Sequence, residues 1–486
     1  MRKMMAVFGI MAVTMAAAAT LLAQTVPSSS RTPAQDETPV TRRLFDQQPS
    51  TEGRRLPPAP ESILYDFIDS SMDGHLPAGN LVTDAAGNFY GTTERGGTTA
   101  GGTVYELSRQ SGGSWVYTEL HAFHSSKEDG RNPTNGVVFD KAGNLYGTTG
   151  NGGLYGYGTV FELSPQASGE WAEKTIHNFK GEGAEGGNVP TGPLVFDAAG
   201  NIYGTTLLGG TGQCDNVSGC GVVYELSPTK AGGWSQTVLY NFEFARHGAW
   251  PSAGMIFDAA GNLYGTTLTG GSGLCFDLDI PGCGTVFELK PRSDGKWTET
   301  ILYSFQNNGI DGDYPVGGLI FDSAGNLYGT ASSGGITTCS RVYIFGCGAV
   351  FEVSPKSGGE WSEKVLYDFQ NNSTDGEDPG FGLVFDSAGR LYGTTTYGGS
   401  HKIGTVFQLS QESGGNWSER IIRNFNFSVD DGRSPVVSCS SIQVEISMAR
   451  HRWVGLQMAA SSLKSSRSPE AGFYRSQYLE AEQCEK

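Results

Sequence analysis

One short segment recurs six times in this chain, and the recurrence restricts the fold more than any other feature of the sequence. It reads DAAGNFYG from Asp84 and returns, with small changes, at intervals of about 60 residues. The six copies begin at Asp84, Asp140, Asp197, Asp258, Asp322 and Asp386. A fixed period of this kind is typical of repeat architectures, in which each unit is one supersecondary motif.

Each repeat unit contains four apolar runs separated by turn residues. In residues 311–369 the runs are GLIFD, NLYGT, GAVFEVSP and WSEKVLYDF. They are rich in Val, Phe, Tyr and Leu and are bounded by Gly, Asn, Asp, Ser and Pro, which predicts strands and turns. The Ala-Gly-Asn sequence after the first run suits a tight hairpin, because Gly and Asn tolerate positive φ. Each unit therefore supplies four strands, which we call A to D.

Four antiparallel strands repeated radially form the blades of a β-propeller. A single small sheet cannot bury both of its faces, whereas sheets stacked around an axis can. We therefore predict an all-β fold, a β-propeller of four-stranded blades with six complete repeats and the remnants of a seventh. A β-solenoid is the main alternative, but its coils usually need fewer residues and no hairpins.

Two residue types recur at fixed positions of the unit. A Trp opens every strand D, and packing between blades explains this better than a sugar-stacking platform, because the position never changes. The Asp of each DxAGN segment is expected to cap its own turn, with calcium binding as the alternative. The six Trp residues are Trp115, Trp171, Trp234, Trp297, Trp361 and Trp417.

Units of the form GLVFDxAGNLYGTTxxGGxxxxGTVFELSP resemble the GloVer-type tandem repeat found in bacterial "choice-of-anchor" exported proteins. The resemblance covers residues 62 to about 437. It implies export and a repeat fold. It implies no known activity, so no catalytic residues follow from it.

The first part of the chain has the composition of an export signal and a linker. Arg2 and Lys3 precede an apolar run, so residues 1–23 are predicted to be a signal peptide, with a retained membrane anchor as the alternative. Residues 24–61 are rich in Pro, Ser, Thr and Gln and are predicted to be a disordered linker.

The repeats then occupy 62–437, and Ile-Leu-Tyr-Asp-Phe at 63–67 matches the end of a strand D. This orphan strand is predicted to complete the last blade.

The last segment, residues 438–486, does not follow the repeat. A seventh Asp-Gly-x-x-Pro loop begins at Asp431, but the repeat stops after Val437. When this segment is translated in a shifted reading frame, Ser438–Ile442 can spell Leu-Leu-Phe-Asp and Val444–Gly455 can spell GNLYGTTS followed by Val or Leu and two Gly. We interpret the segment as an aberrant tail, the out-of-frame remnant of the seventh repeat. An unrelated C-terminal segment is the alternative.

Six cysteines form three close pairs, each in the loop between strands B and C of one long repeat. In an exported chain such pairs are typical of disulfides, and closing such short loops contributes roughly 2–2.5 kcal/mol each on the chain-entropy account. A zinc site is the alternative, but two Cys in each loop are too few to complete one. The pairs are Cys214 with Cys220, Cys275 with Cys283, and Cys339 with Cys347; Cys439 and Cys484 lie in the tail.

The B–C and D–A loops are expected to meet on the same face of a propeller. Loops on a rigid scaffold often carry function, so the arc formed by 207–221, 268–284 and 332–348 is the candidate partner surface, with tolerated loop length as the alternative. Asp129, Asp311 and Asp375 of the D–A loops are candidates to line the channel mouth and hold a cation, although turn formation explains them equally well. Two repeats carry Gly186 and His247 instead.

The function predicted from these features is that of an exported, non-catalytic binding or scaffold protein. The net charge of −17 argues against a nucleic-acid partner. A glycan or a cell-envelope protein is the expected kind of partner, and the chain is expected to be a monomer without cofactor, metal site or catalytic residues. The alternative is a propeller enzyme acting on an extracellular glycan or lactone, but the seven His residues do not gather at one blade position and no nucleophile motif is visible.

The frame-shift interpretation makes a prediction about the gene. Met448-Ala449 and Trp453-Val454 each force a Gly codon in the shifted frame, and the remaining codons are expected to complete the repeat. The genomic sequence of this region checks it. Codons for 438–455 that cannot spell the repeat in another frame would contradict the interpretation.

Overall fold

The computed structural model of the protein describes residues 63–426, except for 68–72, 125–128, 182, 184–185, 215–216, 244–246, 274, 276–281, 307, 336–338, 340–345, 371 and 373. The described part contains strands and turns and no helix, so it offers no helix that could cross a membrane. The predicted signal peptide, the linker and the aberrant tail lie outside the described residues and stay predictions.

The recurrent DxAGN segment forms the hairpin between strands A and B. In the fourth repeat, the Asp258 carboxylate accepts the N–H groups of Ala260 and Asn262 at 2.8 and 2.9 Å and the Tyr264 hydroxyl at 3.1 Å. Burial alone would raise the pKa of Asp258, but these hydrogen bonds and that from the Asn262 amide outweigh it and hold the pKa below its usual value. Gly261 has a φ of 86° and supplies the left-handed residue of the turn.

Each repeat forms one four-stranded antiparallel sheet, with its strands in chain order from A to D. Blade 1 consists of β1 (Gly74–Thr83), β2 (Phe89–Gly96), β3 (Ala100–Arg109) and β4 (Trp115–His124). Blade 2 consists of β6 (Val138–Phe139), β7 (Leu145–Thr149), β9 (Thr159–Pro165) and β10 (Trp171–Asn178). Blade 3 consists of β11 (Asn188–Phe196), β12 (Ile202–Leu208), β15 (Val222–Pro228) and β16 (Trp234–Asn241).

The other three sheets follow the same plan. Blade 4 consists of β17 (Ile256–Phe257), β18 (Leu263–Thr267), β19 (Thr285–Pro291) and β20 (Trp297–Ser304). Blade 5 consists of β22 (Ile320–Phe321), β23 (Leu327–Ala331), β25 (Ala349–Pro355) and β26 (Trp361–Asp368). Blade 6 consists of β28 (Val384–Phe385), β29 (Leu391–Thr395), β31 (Thr405–Gln411) and β32 (Trp417–Asn424). The six sheets form a six-bladed β-propeller, which confirms the predicted fold.

Burial along the strands explains their composition. Strand B of blades 2, 4, 5 and 6 is buried at every residue, as in Leu327–Ala331, because it lies between two strands and between two blades. Strand D lies at the edge of its sheet, and its first residues alternate between half-buried and exposed in Trp171–Asn178. Burial at every residue and alternating burial therefore distinguish an inner strand from an outer strand.

Aromatic side chains join each blade to the next. The Phe after strand D is buried against an aromatic ring in strand C of the following blade. Phe305 and Phe351 are both fully buried, and their ring centroids lie 5.0 Å apart. The corresponding pairs are Phe123–Phe161, Phe179–Tyr224, Phe242–Phe287 and Phe369–Phe407, at 5.0 to 5.2 Å.

The recurrent Trp residues also lie at these blade interfaces. Trp361 of blade 5 packs against Tyr264 of blade 4, with ring centroids 6.5 Å apart, and that Tyr makes an edge contact with Phe321. The same arrangement holds for Trp171, Trp234, Trp297 and Trp417, whereas Trp115 contacts Phe89 of its own blade. The contacts are those of packing residues.

Residues 63–67 occupy the place of a strand D beside blade 1. Phe67 is buried, and its ring lies 5.2 Å from that of Tyr105 in strand C, as in the other interfaces. The Tyr65 hydroxyl donates to Asp73 at 2.8 Å, which repeats the bond from Tyr303 to Asp311. The segment differs from the predicted orphan strand in one respect, because none of its five residues belongs to a strand.

This packing predicts a large stability cost for Phe67→Ala. The change removes a buried ring from an interface, so the free energy of unfolding should fall by about 3–5 kcal/mol. Urea unfolding followed by circular dichroism measures it, with Phe305→Ala as the reference and the exposed Val116→Ala as the control. A Phe67→Ala variant as stable as the Val116→Ala variant would contradict the packing.

Candidate functional site

The B–C and D–A loops lie at the same end of the propeller, which we call the loop end. Two-residue ladders pair them: β5 (Gly130–Arg131) with β8 (Asn151–Gly152), β21 (Gly312–Asp313) with β24 (Ser333–Gly334), and β27 (Gly376–Glu377) with β30 (Tyr397–Gly398). A bridge between Ala249 and Thr269 does the same in blade 4. The loops expected to share one face therefore do share it.

One residue of each D–A loop links the B–C loops of two neighbouring blades through its backbone. The Tyr314 N–H donates to the Cys283 carbonyl of blade 4 at 3.0 Å, and its carbonyl accepts the Ser332 N–H of blade 5 at 3.1 Å. Tyr314 has a φ of 53°, in the left-handed region. The equivalent residues, with φ values of 55 to 61°, donate to the preceding blade in the same way; they are Asn132, Trp250 and Asp378 in their D–A loops and Val189 at the start of strand A of blade 3.

A glycine makes this junction possible. Gly284 directly precedes strand C of blade 4 with a φ of 96°, and a Cβ there would lie 2.4 Å from Pro315 Cδ of the next D–A loop. The same close approach joins Gly221 to Pro251 and Gly348 to Pro379. The Gly and Pro that recur in the sequence are therefore two sides of one contact.

The three Cys pairs form disulfides at the loop end of blades 3, 4 and 5. The Cα–Cα distances are 5.4 Å for Cys214–Cys220, 5.3 Å for Cys275–Cys283 and 5.1 Å for Cys339–Cys347. All six of these cysteines are buried. The second Cys of each pair supplies the carbonyl that accepts the N–H of the next D–A loop, so each disulfide holds a junction between blades as well as its own loop. Three disulfides indicate an oxidising compartment.

Exposed apolar side chains gather at the loop end. Of the five large apolar residues that are exposed in the described part of the chain, four lie in its loops: Leu154, Tyr155, Tyr157 and Ile310. The first three belong to the B–C loop of blade 2. Leu154 is 58% exposed and Tyr155 is 49% exposed, whereas the Tyr157 ring rests on Gly181, where a Cβ would lie 2.8 Å from it.

A second recurring cluster lies between the outer strands of adjacent blades, beneath the loop end. It combines the seventh residue of strand D, the D–A loop residue that precedes the recurrent Gly (Gly130, Gly187, Gly248, Gly312 or Gly376), and the third residue of strand D in the next blade. Register fixes these positions, because the third residue always pairs with the Leu or Val of strand C. The residue types at these positions differ from one interface to the next. The backbone positions therefore stay the same while the hydrogen bonds and pKa shifts change.

Between blades 4 and 5 the cluster holds a proton. Asp311 accepts the Tyr303 hydroxyl at 2.6 Å and the Gln306 N–H at 3.0 Å. Glu363 of blade 5 lies beside it, with Oε1 buried and without a hydrogen bond. Burial, followed by the negative charges of Asp311 and Asp368, raises the pKa of Glu363 to about 8.

Between blades 5 and 6 the same residue types give the same result. Asp375 accepts the Tyr367 hydroxyl at 3.0 Å and the Gln370 N–H at 2.8 Å. Burial and the neighbouring Asp375 carboxylate raise the pKa of Glu419 to about 8. Burial also raises the pKa of Asp375, although hydrogen bonds from the Gln370 and Gly376 N–H groups and the Tyr367 hydroxyl oppose this, so both carboxyls of the pair ionise less readily than usual.

Histidine replaces the tyrosine or the aspartate at the other interfaces. Between blades 3 and 4, His247 and the Tyr240 hydroxyl both bind Glu299 Oε2, at 2.8 and 2.7 Å. Between blades 2 and 3 the third residue is Gln236, and burial, followed by the charge of Lys180, lowers the pKa of His177 to about 4. That imidazole is neutral.

Between blades 1 and 2 the cluster consists of His121, Asp129 and Glu173. One ligand atom from each lies within 4.8 Å of the other two. His121 Nε2 lies 3.6 Å from Asp129 Oδ2, too far for a hydrogen bond. Burial raises the pKa of Glu173. His121 and the hydrogen bond from Thr175 lower this pKa and the negative charge of Asp129 raises it, and the net shift is upward.

The predicted channel-mouth residues all belong to these interface clusters. Asp311 and Asp375 are buried and hydrogen bonded between two blades, and Asp129 is partly buried. Their role at a channel mouth stays a prediction. Sequence reasoning missed their glutamate partners, and it missed that His121 and His177 occupy one equivalent position, opposite Val104 and Val160. A column-wise comparison of the six D strands would have found both.

A propeller of four-stranded tandem units, with its loops tied together at one end, is the class of protein that this chain represents. The sequence profile of the Gloeobacter/Verrucomicrobia repeat matches residues 55–217 and 212–444. The chain belongs to this repeat family, as the recurrent motif predicted. No curated protein matches it.

Several solved structures are similar to this chain. A protein assigned as a gluconolactonase shares 14% identity with a TM-score of 0.37, over 75% of this chain and 93% of the other. A Thermus thermophilus protein assigned as a glucose dehydrogenase shares 15% identity with a TM-score of 0.36, over 66% and 91%. A PL25 ulvan lyase shares 12% identity with a TM-score of 0.45, over 73% and 85%. These activities are those of the named proteins.

The raised pKa of Glu363 predicts a pH dependence of stability. Between its usual value of 4.5 and about 8, the folded chain holds a proton that the unfolded chain has lost, so this residue makes stability fall as pH rises. In the Glu363→Gln variant, the free energy of unfolding should fall less steeply with pH, by up to about 1.4 kcal/mol for each pH unit.

Urea unfolding at pH 5, 6.5 and 8 measures the effect. The variant should gain stability over the unmodified chain as pH rises, whereas Glu360→Gln, in the exposed turn that precedes the same strand, should leave the profile unchanged. Equal pH profiles for the Glu363→Gln variant and the unmodified chain would contradict the protonated state.

Proposed function

We propose that this protein is an exported, non-catalytic binding protein that takes a glycan at its loop end. The observation that carries the proposal is the exposed Leu154–Tyr155 tip in the B–C loop of blade 2. Exposed apolar groups on a soluble chain often mark an interaction site. The disulfides and the apolar N-terminal run support export.

The tip places apolar residues in a turn that other blades build with polar ones. In blade 2, the Gly156 N–H donates to the Gly153 carbonyl at 3.2 Å, and Gly156 has a φ of 85°. Blades 1 and 6 form the same turn with Ala100 and Lys402, whose φ values are both 62° and whose N–H bonds are also 3.2 Å. Those turns carry Thr98-Thr99 and Ser400-His401 where blade 2 has Leu154-Tyr155. The turn does not require the apolar pair.

The chemistry of the tip suits a sugar ring. A Tyr side chain offers a flat apolar face and a polar hydroxyl with little rotamer entropy to lose, which matches a ligand with C–H faces and hydroxyl edges. Tyr157 is held against Gly181 and gives the loop a second ring. The Leu154 N–H donates to Asn178 Oδ1 at 2.7 Å and fixes the tip to strand D of its own blade.

Binding to an array of neutral and acidic bacterial and plant oligosaccharides tests the proposal. The full-length chain should bind one class of oligosaccharide, with calorimetry giving its dissociation constant. The double variant Leu154→Thr, Tyr155→Thr carries the residues of blade 1 and should fold normally. It should bind about tenfold more weakly or worse, because the stacking ring is lost.

Val116→Thr provides the matched control, since Val116 is exposed but lies on strand D of blade 1, outside the loop end. It should bind like the unmodified chain. Absence of binding to the whole array, or equal binding by the double variant, would refute the glycan assignment.

A further inference from the structure

The interface between blades 1 and 2 differs from the other described interfaces that carry a glutamate in how its polar groups are satisfied. At the equivalent positions, Tyr303 and Tyr367 donate to an Asp, and His247 bonds Glu299. His121 makes no such bond: its Nε2 atom is buried without a hydrogen-bond partner, and so is Asp129 Oδ1. One imidazole and two carboxylates thus converge without the hydrogen bond that joins their counterparts in other blades.

We propose that His121, Asp129 and Glu173 bind a divalent transition-metal ion of the Zn²⁺ type. Zinc sites with an open position use three protein ligands drawn from His, Asp and Glu. Two ligands at about 2.1 Å from a tetrahedral ion lie roughly 3.4 Å apart. The 3.6 Å between His121 Nε2 and Asp129 Oδ2 matches this separation. The three ligand atoms lie within 4.8 Å of one another, so side-chain shifts of about 1 Å would bring all three to bonding distance of one ion.

The surroundings hold the ligands in place. The His121 ring makes an edge contact with Phe123 at 4.7 Å, which limits its rotation. Asp129 Oδ2 accepts the His124 N–H at 2.7 Å, and Glu173 Oε1 accepts the Thr175 hydroxyl at 3.2 Å, so each carboxylate has one anchored and one unanchored oxygen. Outer contacts of this kind orient metal ligands.

The ligand types select the ion. Ca²⁺ and Mg²⁺ prefer oxygen ligands throughout, whereas an imidazole with carboxylates suits Zn²⁺ and its neighbours. The His121 and Asp129 side chains are 22% and 17% exposed, so the cluster lies close to the protein surface, although His121 Nε2 itself is buried. The Gly153 N–H, which begins the Leu154–Tyr155 tip, donates to the Asp129 carbonyl at 2.7 Å, so the ion would lie beside the proposed glycan loop. Neither proposal depends on the other.

The chain offers a variant that should remove the ion and keep the fold. His121→Tyr places a tyrosine where Tyr240, Tyr303 and Tyr367 stand in other blades, and its hydroxyl can donate to Asp129 as theirs do to carboxylates. His177→Tyr makes the same change one blade further on, where Gln236 replaces the glutamate. It is the matched control.

Equilibrium dialysis of the metal-free, untagged full-length chain against Zn²⁺ measures the binding, and Co²⁺ reports the ligands through its visible absorption. The unmodified chain and His177→Tyr should bind one ion that gives no thiolate-to-cobalt band. His121→Tyr and Glu173→Gln should weaken that binding about tenfold or more, with thermal unfolding confirming that both variants are folded.

Two results would overturn the site. One is the absence of Zn²⁺ and Co²⁺ binding by the unmodified chain. The other is binding that His121→Tyr and Glu173→Gln leave unchanged, which would assign the ion to other groups such as the thiols of Cys439 and Cys484.

Discussion

The aromatic contact between neighbouring blades is the interaction on which the rest of the structure depends. A four-stranded sheet of this size has two apolar faces and can cover neither by itself. The Phe after each strand D enters the next blade and meets a ring of strand C at about the same distance in every interface. Because this contact fixes the spacing and rotation of successive blades, it also fixes which polar side chains of two outer strands come together.

The interfaces therefore form a series in which the backbone is constant and the chemistry varies. Tyr, Asp and Glu give a cluster that raises the pKa of Glu363 or Glu419. His247 with Glu299 gives a hydrogen-bonded pair, and His177 with Gln236 gives a neutral imidazole. His121 with Asp129 and Glu173 brings an imidazole and two carboxylates together without that pairing. One changed position separates the clusters of His121 and of His247 from the Tyr–Asp–Glu clusters, whereas the cluster of His177 differs from them at all three positions.

Much of this fold could be predicted from the sequence, because its determinants are local and repeated. The DxAGN turn, the four apolar runs and the close Cys pairs each lie within one unit, and six copies make the pattern plain. The interface clusters could not be predicted, since their members come from two blades and meet only through the rotation between sheets. The exposure of Tyr157 was equally hidden, because Ile403 occupies the equivalent position after the turn in blade 6 and is buried. The segment 63–67 matched strand D in sequence and in packing, yet it forms no strand.

The left-handed residue of each D–A loop has a consequence for how such proteins diversify. It bonds to the neighbouring blades through its main chain, and side chains as different as those of Asn132, Val189, Trp250, Tyr314 and Asp378 occupy the position. Even a β-branched valine is accepted there, although this backbone region disfavours it. Because these bonds are made by main-chain atoms, the side chain at this position can change while the junction between blades is kept, and the loop surface of one scaffold can diversify by mutation.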